Sequence, residues 1–147
     1  MRSRDADGAG SHCGRSDAAG SRNPCCWHIL LVTDVYPPGC GGSGWSTHAL
    51  ALALKEYGHQ VEVISVEPSL SGLSQRTWEG IRVTGVGVRR ARRNPFCRLA
   101  ARDYSYRILA SYLGKRLDRH PEVDIVHAQH LHSGPPALAA ARSRARG

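Results

Sequence analysis

Trp27 to Val66 reads WHILLVTDVYPPGCGGSGWSTHALALALKEYGHQVEVISV, and three of its segments decide the fold. Trp27–Val35 is a nearly continuous apolar run, which suits a strand covered on both faces of a parallel sheet. Ser46–His59 (STHALALALKEYGH) places Leu50, Ala53, Leu54 and Tyr57 at helical spacing on one face. Ser43 or Ser46 is suited to cap the start of that helix and Gly58 its end. Gln60–Val66 (QVEVISV) is a second strand, stopped by Pro68. Strand, helix and strand in this order make a right-handed crossover unit.

The same grammar continues. Ser69–Gly80 (SLSGLSQRTWEG) reads as loop, and Ile81–Val88 (IRVTGVGV) as a third, weaker strand with alternation. Asn94-Pro95 offers an N-cap and a first-turn proline for a long helix to Arg119, carrying Leu99, Ile108, Leu109, Tyr112, Leu113 and Leu117. His120-Pro121 ends it. Val123–Gln129 (VDIVHAQ) is a fourth strand, and PPALAAARSRA begins a further helix. The expected class is α/β: a Rossmann-like parallel sheet with flanking helices. A strand order of 3-2-1-4 would put the switch point between the first and fourth strands, and ligands of such sheets bind at the carboxyl ends there.

Residues 1–26, rich in Gly, Ser, Ala, Arg and Asp without apolar period, read as a disordered tail ahead of one domain at 27–147. The tail lacks the apolar core of a signal peptide, and no apolar run in the chain has bilayer-spanning length. Five cysteines at irregular spacing, with no C-x-x-C, form no disulfide framework. A cytoplasmic place is expected from these features. The net charge of +8, with the run RRARR at Arg89–Arg93, favours an anionic partner. No nucleic-acid motif accompanies it and aromatics near the run are sparse, so no nucleic-acid partner is expected. Arg98, Arg102, Arg107 and Arg116 would share the exposed face of the long helix, which leaves peripheral membrane contact open.

Between the first strand and helix stands a G-x-G-x-x-G of Gly39, Gly41 and Gly44, the pattern of a dinucleotide site when it follows a strand at once. Here five residues, two of them prolines, intervene. Glu67 lies near the place of a ribose-binding acid, which keeps a dinucleotide-binding oxidoreductase fragment as an alternative. A basic nucleic-acid-binding module is a second alternative. A metal site of His127, His130 and His132 is a third, lacking a further ligand cluster at metal-like spacing. Independently of these, Gly41, Gly42 and Gly44 permit positive φ and close ligand approach, and the following helix N-terminus favours an anion.

Four pieces in order carry a resemblance: ILLVTDVYPP followed by GG, the helix closing on YGHQVEVISV, TWEGIRV, and VDIVHAQH. Over about residues 27–141 the chain resembles the N-terminal domain of family 4 glycosyltransferases of the GT-B fold. The resemblance implies retaining transfer of a sugar from a nucleotide-activated donor to an acceptor hydroxyl, with no bound metal or other cofactor. It implies that Gly41, Gly42, Ser43 and Gly44 form the loop beside the donor diphosphate and the acceptor. It also implies that His127 is the histidine that closes the fourth strand. The family's second histidine, in an H-x-H pattern and close to the transferred sugar, is replaced here by Gln129, with His130 and His132 following. Candidate catalytic residues are therefore His127, Gln129 and His130. The family's C-terminal donor domain, which holds the nucleotide, has no counterpart in this sequence. The chain is expected to be a fragment, inactive alone, whose partners are a nucleotide-sugar, an acceptor and that missing domain.

Overall fold

The computed structural model describes residues 26–88 and 98–145. The expected N-terminal tail up to Cys25, the run Arg89–Arg93, the Asn94-Pro95 helix start and the side chains of Arg98, Leu99 and Arg102 lie outside the described residues.

β1 (His28–Thr33) is the apolar run of the opening stretch, and all six of its residues are buried. It accepts neighbours on both edges, pairing in parallel with β2 (Gln60–Glu67) and with β5 (Ile125–Ala128). β2 pairs in parallel with β4 (Ile81–Gly87), and β3 (Leu73–Trp78) closes the other side antiparallel to β4. The five-stranded order is β3-β4-β2-β1-β5. Its four parallel strands run in the order β4-β2-β1-β5, the 3-2-1-4 arrangement, with the switch point between β1 and β5. Leu30 and Val32 point to a core shared with Leu109, Leu113 and Leu117 of α2 (Arg98–Arg119) and Ala137 and Ala140 of α3 (Gly134–Arg144). Ile29 and Leu31 point the other way, to a core that includes Ala51 of α1 (Gly42–Glu56). A strand with cores on both sides cannot show polar alternation, which is why the run is continuous.

The Ser69–Gly80 stretch is not all loop. Its second half is β3, whose residues alternate exposed and half-buried along the edge of the sheet. The segment LSQRTW carries little apolar signal, so its strand character comes from pairing rather than composition. Trp78 faces Ile81 across a two-residue turn in which Glu79 and Gly80 have φ of 46° and 74°. That is the conformation of the tight hairpin turns favoured by strand twist.

α1 also departs from expectation. It begins at Gly42 with Gly41 as N-cap and no side-chain cap. Ser43 and Ser46 lie inside the helix, where the Ser46 hydroxyl donates to the Ser43 carbonyl. The buried face is Gly44, Thr47, His48 and Ala51, while Tyr57 is 81% exposed. Small side chains let the helix settle close to the sheet, leaving Leu50, Leu52 and Leu54 half-buried at its margins. The helix end is as expected. Gly58, at φ 87°, donates to Lys55 C=O and His59 N–H reaches back to Leu54 C=O, a paired closure that a left-handed glycine makes without strain. Cys26 is disulfide-bonded and Cys40 is a free thiol. The irregular spacing of cysteines had given no sign of a bridge.

At the amino ends of the strands lies a buried charge cluster. Glu62 of β2 is 6% exposed. Its carboxylate receives Arg82 at 2.7 Å and Arg116 at 2.5 Å, with His28 Nε2 3.6 Å away. Arg116 is thus drawn inward to pair, rather than lying on the exposed face of the long helix. The histidine, then Arg116 and Arg82, hold the Glu62 carboxyl down to about 2 against the opposing effect of burial. A carboxyl depressed in the fold contributes stability that is present above its ordinary value of 4.5. That contribution fades as pH falls from there towards about 2. Glu62→Gln is expected to cost about 3 kcal/mol at neutral pH, because it leaves the largely buried Arg116 guanidinium without its counter-charge. It should also flatten the acid limb of a stability-against-pH curve measured by urea unfolding.

Candidate active site

Parallel strands end together, and the helices that follow them start there. The carboxyl ends of β1 and β5 lie side by side, with Val32 opposite Ala128 and Gln129 N–H donating to Val32 C=O at 2.9 Å. The N-termini of α1 and α3 flank this end, and neither has an acidic residue in its first turn. Both helix dipoles therefore have their positive ends at this end of the sheet.

The glycine loop forms one wall. Space is open where a Cβ would stand on Gly39, Gly41 or Gly42. None of the loop glycines has positive φ, since among the described glycines only Gly58, Gly72 and Gly80 do. They serve by leaving the first turn of α1 bare, not by special backbone angles. The N–H groups of Gly42 and Ser43, in the first helical turn, have no intrahelical partner by geometry and are open to an anion. Gly44 is different. A Cβ there would collide with Cys40 Sγ and stand 2.8 Å from Cys40 Cβ, so this buried glycine closes the loop onto the helix rather than facing a ligand.

The other wall is the segment after β5. The exposed His127 donates from Nε2 to Gln129 Oε1 at 2.9 Å. His130 Nδ1 lies 2.8 Å from the hydroxyl of Thr33, at the end of β1. His132 Nδ1 shares a 2.7 Å hydrogen bond with the Tyr106 hydroxyl of α2. The three histidines thus engage three different partners. Among the described residues, no group of three or more His, Cys, Asp or Glu is placed to share a metal ion. Glu67, the candidate ribose acid, is ion-paired with Arg76 at 3.5 Å.

Open N–H groups at the start of α1 and a histidine-rich end of β5, on a 3-2-1-4 parallel sheet, make up the candidate site. The profile of the glycosyl transferase 4-like domain matches residues 41–146, well over half of the chain. The chain belongs to this family. Its function is of the glycosyl-transfer kind, and the α/β Rossmann-like arrangement is the family's as expected. No curated protein matches the chain at a significant level. Among the described residues, no helix is long and apolar enough to cross a membrane.

Three features of this glycosyl transferase 4-like site escaped the sequence. Asp34, directly after β1, is half-buried. Burial raises its carboxyl pKa, and the nearby His130 and His132, with the His132 backbone N–H, oppose that rise. Its place at the switch point was the only signal. Trp45 exposes its indole in the first turn of α1, edge-on to His48 with ring centroids 6.0 Å apart. Beneath it runs a chain of hydrogen bonds, buried at Tyr36 and His48 and ending on the exposed Glu79. The Tyr36 hydroxyl meets His48 Nδ1 at 2.8 Å, and His48 Nε2 meets the Glu79 carboxylate at 3.0 Å. Burial, then the Glu79 charge, pushes the Tyr36 phenol up to about 12. This chain, with Arg76 donating to Pro37 C=O at 2.9 Å, ties the glycine loop to the β3–β4 hairpin. A glutamate at positive φ costs on the order of 1 kcal/mol, and its reach to His48 is the compensating contact. The residues involved are 31 positions apart, so no local pattern could announce them.

The two kinds of loop glycine should separate on mutation. Gly44→Ala is expected to destabilise by about 1–3 kcal/mol through overpacking against Cys40. Gly42→Ala, with open space around its new methyl, should leave the urea midpoint nearly unchanged.

Proposed function

We propose that this domain forms the acceptor side of a retaining glycosyltransferase that moves a sugar from a nucleotide-activated donor to an acceptor hydroxyl. The single observation that carries the reading is the bare first turn of α1, at Gly41, Gly42 and Ser43, beside the switch point. Charge builds on the leaving diphosphate as the sugar–oxygen bond breaks. Backbone N–H groups fixed in place and backed by a helix dipole stabilise such charge without reorganising. His127, Gln129 and His130 stand at the strand end opposite, where an acceptor hydroxyl would approach. In this reading a second α/β domain supplies the nucleotide pocket, and no metal takes part. The exposed Arg107 and Lys115 of α2 leave peripheral contact with an anionic membrane surface open to a membrane-bound acceptor.

The test is calorimetric titration of the 147-residue chain with inorganic pyrophosphate and with nucleoside diphosphate sugars, alongside NADH followed by its fluorescence. Pyrophosphate should bind, and the sugar nucleotides should compete with it through their diphosphate alone, since the nucleotide pocket belongs to the second domain. Gly42→Trp should weaken both by about tenfold or more, the equivalent of about 1.4 kcal/mol, with its melting temperature held. NADH binding with the sugar nucleotides silent would overturn the reading in favour of a dinucleotide site.

A further inference from the structure

We infer that Thr33 is a positioning residue: it holds His130 in the tautomer whose bare Nε2 accepts a hydrogen bond from a hydroxyl of the acceptor substrate. The identity of that ligand group rests on the glycosyl-transfer reading above, whereas the tautomer does not.

The argument is a count of protons. The Thr33 hydroxyl has one, and Val35 C=O, 2.9 Å away, can only accept. With the proton spent there, the Thr33 oxygen offers His130 Nδ1 a lone pair at 2.8 Å. Nδ1 must therefore be the N–H donor, and in a neutral imidazole the other nitrogen is then unprotonated. Thr33 is 0% exposed, and its strand is paired on both edges, so its hydroxyl has no water to turn to. The main chain of His130 is fixed as well. The Ser133 hydroxyl accepts from His130 N–H at 3.1 Å and donates to His130 C=O at 2.9 Å.

The neighbours do not offer the same group. His127 spends its Nε2–H on Gln129, which gives it the opposite tautomer and turns the Gln129 carbonyl back upon it. His132 is bound through Nδ1 to Tyr106, an exposed pair. His130 is thus the histidine of this segment held by a fully buried hydroxyl. Asp34 stands close to both His130 and His132, the acidic member of the cluster.

The experiment is a long-range proton–nitrogen correlation spectrum of the full chain labelled with nitrogen-15 histidine, at about pH 8 where an ordinary imidazole is neutral. His130 should show a protonated Nδ1 and a bare Nε2, and His127 the reverse. Thr33→Val should shift His130 to the Nε2–H or mixed form, and Thr33→Ser should restore it. A wild-type His130 protonated at Nε2, or a folded Thr33→Val with an unchanged spectrum, would overturn the inference. If Thr33→Val does not fold, the wild-type and Thr33→Ser spectra decide it. Failure of the glycosyl-transfer reading would register differently, as absent pyrophosphate and sugar-nucleotide binding with the His130 tautomer intact.

Discussion

β1 is hydrogen-bonded in parallel along both edges, to β2 and to β5, and the rest of the molecule follows from that constraint. Parallel pairing forces the connections to cross over the sheet, so its faces must carry helices. It also brings the carboxyl ends of β1 and β5 together, with the helices that follow them starting beside those ends. That the glycine loop and the histidine segment share one end of the sheet is a consequence of this one arrangement. Full burial of Leu30, Leu31 and Val32 secures it, each such side chain being worth about 1.5–3 kcal/mol.

The two ends of the sheet are electrostatically unlike. At the amino ends, Glu62 is surrounded by His28, Arg82 and Arg116, and charge is locked into structure by mutual pairing. At the carboxyl ends, positive helix termini and bare N–H groups lack such saturation. The polar side chains there, Thr33, Asp34, His130 and His132, are linked in small groups that orient without neutralising. A buried ion cluster is weak evidence for net stability. Here it does fix α2 against β2, and α2 in turn brings Tyr106 to His132.

The hairpin of β3 and β4 has a role beyond covering a sheet edge. Through Glu79, His48 and Tyr36 it braces α1 near its start, and through Arg76 it grips the loop at Pro37. A loop that must present bare backbone groups has few side chains with which to hold itself. Its rigidity comes from neighbours, and the contacts are supplied by an element that composition alone marks as loop.

By itself the sequence determined the class, the parallel strands and the closure of α1 at Gly58. These are local matters: period, apolar continuity, and residues with special backbone freedom. The tertiary structure decided the rest. It chose which face of α1 is buried, because closeness to the sheet favoured Gly44, Thr47 and Ala51 over the leucines. It made a strand of Leu73–Trp78, because a polar edge strand is defined by its partner. It turned Arg116 inward, and it separated Gly44, which packs, from Gly42, which stays open. Above all it sorted the histidines of the β5 end, because the partner of His130 is Thr33, 97 positions away. A hydrogen bond across that separation exists only once β1 and β5 lie side by side.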